Sequence, residues 1–222
     1  MKQLKQLHEL INRDEPAWPL VQEWVAAATN TVEVLPPPED ATREQTLVSA
    51  QVTTRSPMGA VIYETGGILV DHGWVRILGS GHTRLPRSFS RWNYGRSFSV
   101  SEERPQFLLV GDDVLGGFFA VDGGGIGFAH GNVCYFAPDE LTWEDMKLGY
   151  SQFLTWCFQG DLAGYYQSER WPDWQEDARE LGGDEAFSFE PPLSADRKPI
   201  TERTRKITSI ADIYDRRLGH RN

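Results

Sequence analysis

Two adjacent aspartates, a histidine and a run of glycines lie close together near the middle of the chain. The aspartates are Asp112 and Asp113, the histidine is His130, and the glycines fall within residues 122–127. Carboxylates and imidazoles are the groups that acid–base catalysis and metal binding use, and glycine-rich turns can hold phosphates. This segment therefore forms either a catalytic or ligand-binding site or the turns that connect antiparallel strands.

The glycines lack the surroundings of a phosphate-binding loop. A dinucleotide fingerprint needs glycines that open a helix, because the helix N-terminus receives the pyrophosphate. Here the glycines lead into residues 133–136, which have the pattern of a strand, and no Gly-Lys-Ser or Gly-Lys-Thr is present. We predict that these glycines adopt positive φ in a wide hairpin.

The two aspartates occupy consecutive positions of a predicted strand. Side chains alternate between the faces of a strand, so Asp112 and Asp113 cannot easily converge unless a bulge intervenes. We expect Asp112 to close a turn through its own backbone, as aspartates often do. A metal site or an acid–base pair with His130 is the alternative interpretation of the same residues.

No other segment carries a recognised catalytic or metal-binding spacing. The histidines show no His-x-His or His-Glu-x-x-His pattern, and no Gly-x-Ser-x-Gly elbow is present. Cys134 and Cys157 do not form a Cys-x-x-Cys pair and are flanked by apolar residues, so we interpret them as buried free thiols. We predict no catalytic residue, no metal ion and no cofactor.

Arginine and tryptophan are concentrated between residues 55 and 96. Both types dominate binding hot spots, so this segment is either a recognition surface or a set of loops with solubilising charge. The arginines are Arg55, Arg76, Arg84, Arg87, Arg91 and Arg96, and the tryptophans are Trp74 and Trp92. Our candidates for binding a ligand or partner are Arg55, Trp74, Arg91, Trp92, Asn93, Asp112 and Asp113.

Composition and charge exclude several classes of function. The chain has 222 residues and a formal net charge of −10, which disfavours nucleic acid and anionic membranes as partners. Residues 1–10 lack the apolar core of a secretory signal, and no apolar run reaches the roughly eighteen residues of a membrane span. We predict a cytoplasmic protein with neither a nucleic acid nor a membrane as its partner.

The order of elements predicts an α+β fold with a mainly antiparallel sheet, a meander, flanked by helices. Residues 107–110, 117–121 and 133–136 have the pattern of strands, and residues 71–73 that of a hairpin turn. We predict a long surface loop at residues 79–104 and a helix at residues 143–158. Residues 1–190 form one predicted domain. Residues 191–222, with eight Lys or Arg against four Asp or Glu, form a basic extension whose short helix packs on the body or on a partner.

The segment GDDVLGGFFA at residues 111–120 resembles a bacterial family of domains of unknown function. Residues 53–57, 66–74 and 135–139 carry the same resemblance, which brings no known activity. More distantly, the order of elements is similar to the SUKH superfamily, whose bacterial members are cytoplasmic immunity proteins that bind toxins. The positions are Gly111, Asp112, Asp122, residues 131–133 and residues 151–154. This resemblance implies a helix-covered antiparallel sheet and a protein partner.

We therefore expect a non-catalytic cytoplasmic binding protein, immunity-like or regulatory, that recognises a protein partner through its sheet and loop surface. The alternative is a hydrolase or small-ligand-binding enzyme with a loop-built pocket. That pocket would gather Asp112, Asp113, Trp92, Asn93 and Arg55. A homodimer, in which the basic extension of one copy meets the acidic body of another, is a third possibility.

Overall fold

The computed structural model describes residues 4–98, 105–196 and 198–219. Its centre is a sheet of seven strands, each antiparallel to the next one along the chain. The strands are β1 Val32–Leu35, β2 Gly67–Val70, β3 Val75–Leu78, β4 Phe107–Asp113, β5 Phe118–Asp122, β6 Asn132–Phe136 and β7 Trp143–Gly149. The predicted α+β fold with an antiparallel meander is confirmed.

Helices flank this sheet. They are α1 Leu7–Leu10, α2 Trp18–Ala26, α3 Asp40–Ala50, α4 Pro57–Glu64, α5 Phe89–Asn93, α6 Tyr150–Gln159, α7 Leu162–Tyr165, α8 Trp174–Glu180, α9 Ile210–Arg217 and a 3-10 turn at Ile200–Glu202. Local sequence sets the start of α4, since Ser56 accepts a hydrogen bond from the Gly59 N–H at 3.1 Å and Pro57 takes the first helical position. Within the described residues, no helix has the length and apolar character needed to cross a membrane.

Consecutive residues of β5 pack on opposite faces of the sheet. Phe119 contacts Phe153 and Trp156 of α6, with ring centroids 4.9 and 6.3 Å apart. Phe118 contacts Tyr214 of α9 at 5.2 Å. Successive side chains of a strand point to opposite faces of the sheet, so Phe118 and Phe119 must lie on different sides. We call the two sides the α6 face and the α9 face.

The hairpin between β2 and β3 is confirmed. Asp71, His72 and Gly73 have φ values of 51°, 64° and 89°, which place the turn in the left-handed region that glycine and aspartate tolerate best. Trp74 lies between this turn and β3 and is fully buried.

Residues 143–158, predicted as one helix, form two elements. Trp143–Gly149 is a strand that pairs with β6, and the chain becomes helical only from Tyr150. Trp143, Met146 and Tyr150 fit a helical stripe by their spacing. Pairing with the edge of β6 outweighs that local preference, because propensity is a weak determinant beside tertiary contacts.

Residues 79–98 are not the open loop that we predicted. They include α5, and the side chains of Leu85, Phe89 and Trp92 are buried in the core. The remainder of the predicted loop, residues 99–104, lies outside the described residues. The periodicity of apolar residues in this segment is weak, so the sequence did not predict that individual apolar side chains are buried in the core.

The carboxyl-terminal segment packs on the body of the protein. β8, Glu185–Glu190, pairs with β9, Thr204–Ser209, and α9 follows directly. Ser209 accepts a hydrogen bond from the Asp212 N–H, as the capping pattern predicts. Ile213 and Tyr214 are buried. Residues 197 and 220–222 of the predicted extension lie outside the described residues.

Candidate binding site

The side chain of Asp122 organises the glycine-rich segment between β5 and β6. Its carboxylate accepts hydrogen bonds of 2.6–3.2 Å from the backbone N–H groups of Gly124, Ile126, Gly127 and Phe128. Gly124 and Gly127 have φ values of 109° and 105°. The segment reverses the chain between two antiparallel strands, and the N–H groups that could bind a phosphate already bind a carboxylate of the protein.

We expect Asp122→Asn to lower the free energy of unfolding by about 2 kcal/mol, since hydrogen bonds to charged groups contribute about that much. The amide nitrogen of asparagine cannot accept, so some of the four N–H groups lose their partner. Burial acts to raise the pKa of Asp122, but the N–H donors outweigh burial and hold this pKa below its ordinary value. The stabilisation should therefore be complete at neutral pH and decline as the pH falls below the ordinary aspartate pKa of about 3.9.

Urea denaturation of both proteins across this pH range measures the difference. Asp161→Asn is the matched control, because Asp161 accepts a single described backbone hydrogen bond, from Gly164, and should lose less stability. Equal losses for the two variants, or a difference for Asp122→Asn that persists in strong acid, would contradict this account of the segment.

Asp112 lies on the α9 face, where two arginines bind it. Its carboxylate accepts hydrogen bonds from Nε of Arg76 at 2.7 Å and from Nη1 of Arg87 at 2.6 Å. Arg76 is the cross-strand partner of Asp112, and Arg87 also donates to the carbonyl of Gly183 at 2.7 Å. All three charged side chains are buried. The network ties β3 and β4 to the segment before β8.

Asp113 lies on the α6 face, where two tyrosines bind it. Its Oδ2 accepts hydrogen bonds from the hydroxyls of Tyr135 at 2.6 Å and Tyr166 at 3.0 Å. Its Oδ1 accepts from the N–H groups of Leu115 and Gly117. Burial raises the pKa of Asp113, against the opposing effect of these hydrogen bonds. Asp113, and not Asp112, closes the backbone turn, because Arg76 and Arg87 occupy the carboxylate of Asp112.

The remaining sequence candidates divide between the core and the surface. Trp74, Trp92 and Asn93 are buried, and Asn93 bonds both the N–H and the carbonyl of Leu109 in β4. Arg91 is exposed. Arg55 is also exposed and forms an ion pair with Glu15 at 2.6 Å.

The structure does not bring the five residues of the alternative pocket together. Asp112 and Trp92 are linked through Arg87, whose guanidinium lies 4.6 Å from the Trp92 ring. Asp113 faces the other side of the sheet. Among the described residues, no hydrogen bond or ion pair joins Arg55 to the other four. These residues mainly hold the fold together.

A cavity of about 630 Å³ opens beside Asp113. Leu115, Tyr135 and Tyr166 form its floor, and the two tyrosines are fixed by their hydrogen bonds to Asp113. The ring of Tyr165 stands against this floor, 4.8 Å from the ring of Tyr166 and 6.3 Å from that of Tyr135. We call this cavity the tyrosine cleft.

Five carboxylates line the tyrosine cleft: Asp139, Glu140, Glu144, Glu169 and Asp196. Asp196 pairs with Arg203, whereas the other four form no ion pair with another residue that the structure describes. Burial raises the pKa of Glu144, and the charges of Asp139 and Glu140 add to the effect. Burial also raises the pKa of Glu169, against a hydrogen bond from a neighbouring serine. Lys198 and Arg203 also line the cleft, but the carboxylates outnumber these two cations, so the cleft favours a positively charged ligand.

Arg203 shapes the part of the cleft wall that the carboxyl-terminal segment forms. Its buried guanidinium donates to the backbone carbonyls of Pro191, Pro192, Asp196 and Lys198 at 2.6–3.3 Å, which holds these four residues around it. It also pairs with the Asp196 carboxylate. The positive charge of Arg203 is thus matched within this wall by the Asp196 carboxylate and by backbone carbonyls.

Sequence reasoning missed the tyrosine cleft. Its residues come from the β4–β5 turn at Leu115, from β6, from residues 137–144, from residues 165–169 and from the segment that ends at Arg203, so no spacing along the chain reveals them. The acidic cluster at residues 139–144 is the one local signal. Within the described parts of the chain, no group of three His, Cys, Asp or Glu side chains is placed to hold a metal ion.

Comparison with known proteins gives a family and two relatives. Residues 7–213 match the family described as "Protein of unknown function DUF2625". An uncharacterized protein of Haemophilus influenzae is 41% identical over 220 residues, which cover 99% of this chain and 96% of that protein. The putative uncharacterized protein YbfG of Escherichia coli is 42% identical over 217 residues, covering 96% and 95%. No solved structure matches this chain. The resemblance to a family of unknown function is confirmed, and the similarity to the SUKH superfamily stays a prediction.

Proposed function

This chain belongs to the DUF2625 family, and we propose that it is a non-catalytic cytoplasmic protein that binds a segment of a protein partner in the tyrosine cleft. The observation that carries the proposal is the cleft itself, with its fixed tyrosine floor and its four carboxylates that lack ion pairs within the described chain. Concave sites with aromatic walls and a few polar groups are the usual form of recognition sites.

Other features support this choice of site. β2 and β3 are buried along their whole length, so a partner meets the loops and the cleft rather than the face of these strands. The formal charge of −10 attracts basic partners. Cys134 and Cys157 are free thiols, the form typical of cytoplasmic proteins. An immunity-like or regulatory role requires only a stable complex of this kind.

A second copy of the chain is the other candidate occupant. A neighbouring cavity is lined by Lys206, Arg216 and Arg217 and shares Leu193 and Ser194 with the tyrosine cleft. A two-fold axis near these two shared residues would set each acidic cleft against the basic cavity of the other copy. Light scattering on the wild type and on Lys206→Glu/Arg216→Glu distinguishes the two occupants, because only a homodimer depends on these basic residues.

A photoreactive phenylalanine analogue at position 165 tests the proposal in living cells. We expect illumination to give one discrete cross-linked product, because the ring of Tyr165 lines the cleft and is 43% exposed. The matched control places the same analogue at Tyr94, which is 63% exposed and lies outside the cleft. That position should not give the product.

Charge reversal links the cross-linked product to the acidity of the cleft. Glu144→Lys, added to the photoreactive variant, should reduce the product by about tenfold or more, because a lysine there repels a basic partner. The absence of a product from position 165, equal products from both positions, or a product indifferent to Glu144→Lys would each overturn the proposal.

A further inference from the structure

We propose that the tyrosine cleft binds the guanidinium of an arginine side chain, carried by an extended segment of the partner. This inference rests on the proposed function and names the chemistry of the group that enters the cleft. It has three supports: the way this protein places its own arginines, the geometry around Tyr165, and a buried acceptor on Glu169.

Five arginines of this protein occupy one kind of environment. Each guanidinium lies over an aromatic ring, 3.9–4.6 Å from its centroid, and also pairs with a carboxylate. Such sites combine cation–π attraction with attraction to a carboxylate. The ring and carboxylate are Tyr63 and Asp40 for Arg43, Trp92 and Asp112 for Arg87, Trp92 and Asp215 for Arg96, Trp174 and Asp71 for Arg170, and Trp171 and Asp177 for Arg205.

The tyrosine cleft offers the same pair of partners to an external arginine. The ring of Tyr165 is partly exposed. Glu144 and Glu169 line the cleft together with Tyr165. Burial raises the pKa of Tyr165, and the charges of Asp113, Glu144 and Glu169 raise this pKa further. No described arginine or lysine pairs with Glu144 or Glu169.

Glu169 supplies a specific acceptor. Its Oε1 accepts a hydrogen bond from Ser168 at 2.8 Å, whereas its Oε2 is buried and has no hydrogen-bond partner among the described residues. A buried acceptor without a donor costs free energy, so a ligand that donates to it gains affinity. Glu169 lines the cleft, and we expect an entering cation to bind its carboxylate.

Guanidinium suits this geometry better than ammonium. It is planar, stacks on an aromatic face and presents a fork of donors that can reach two carboxylates at once. An ammonium is a compact, strongly hydrated charge that cannot stack in this way. We therefore expect the cleft to prefer arginine to lysine.

Three short capped peptides that differ at one central residue test this inference. The residue is arginine in the first, its neutral isostere citrulline in the second and lysine in the third, with glycine and serine on both sides. We expect chemical shift changes in the cleft from NMR titration of the full chain. The arginine peptide should bind about tenfold or more tightly than the citrulline peptide, and more tightly than the lysine peptide.

Two variants locate the bound side chain. Tyr165→Leu and Glu169→Gln should each weaken binding of the arginine peptide severalfold, and Tyr94→Leu, an exposed aromatic site outside the cleft, should leave it unchanged. Equal affinity for the arginine and citrulline peptides, equal affinity for the lysine peptide, or equal effects of all three variants would overturn the inference.

The outcome is separable from that of the proposed function. Suppose that no peptide shifts the cleft resonances at millimolar concentration, while position 165 still gives its Glu144-dependent cross-link. The arginine assignment is then wrong, and the proposal that the cleft binds a partner is retained. If the cross-link fails as well, both proposals fall.

Discussion

Asp112→Asn is expected to destabilise the protein by about 3–5 kcal/mol, the usual cost of removing one partner from a buried ion network. Arg76 and Arg87 would keep their charges inside the core without the carboxylate that both of them bind. Asp184, the other acidic partner of Arg87, is half exposed and compensates little. Chemical denaturation at neutral pH measures the loss.

Glu33→Gln is the control for Asp112→Asn. Glu33 pairs with Arg84 on the surface, where both side chains are about half exposed, and such pairs contribute about 1 kcal/mol or less. If the two substitutions cost the same, Asp112 is not a structural residue. It would then again be a candidate for binding or catalysis.

Trp74→Ala should cost about 3–5 kcal/mol, as expected for truncating a large aromatic side chain in a core. The ring of Trp74 is fully buried and lies 5.5 Å from that of Tyr166, 5.4 Å from Trp171 and 5.0 Å from Trp174. Because Tyr166 belongs to the floor of the tyrosine cleft, the cavity left by alanine also removes support from the binding site. Denaturation with urea, read by circular dichroism, gives the change.

Trp74→Phe separates packing from hydrogen bonding. Nε1 of Trp74 is buried and has no hydrogen-bond partner among the described residues, so phenylalanine loses volume alone. We expect a clearly smaller loss than for alanine. A stable Trp74→Ala protein that no longer binds its partner would contradict this assignment and make Trp74 a contact residue.

Much of the sheet could be predicted because its signals are local. Gly73 supplies the positive φ that ends the β2–β3 turn, and the glycines after Asp122 do the same between β5 and β6. Period-two alternation also predicts that Asp112 and Asp113 face opposite sides of the sheet. None of these conclusions needs knowledge of distant residues.

The pairing of charges could not be predicted in the same way. Arg76 meets Asp112 only because the β3–β4 register sets them opposite each other, although 36 residues separate them in sequence. The strand at Trp143–Gly149 escaped prediction for a related reason, since its apolar spacing also fits a helix and only the edge of β6 decides. Register and edge pairing are properties of the folded chain.

The tyrosine cleft could not be predicted from the sequence for the same reason. Tyr135 belongs to β6, Tyr165 ends α7 and Tyr166 follows it. Arg203 lines the part of the wall that the carboxyl-terminal segment forms. The seven sequence candidates come from two local segments, residues 55–93 and residues 112–113, and five of the seven are buried. A site assembled from distant segments leaves little trace in local spacing.

Intermolecular nuclear Overhauser effects between the arginine peptide and the full chain give the most direct test. We predict contacts from the arginine methylene protons to the ring protons of Tyr165 and Tyr166, because the guanidinium should reach Glu169 across these rings. Contacts confined to other surfaces, such as the exposed ring of Tyr94, or contacts of equal strength from the citrulline peptide, would contradict the account.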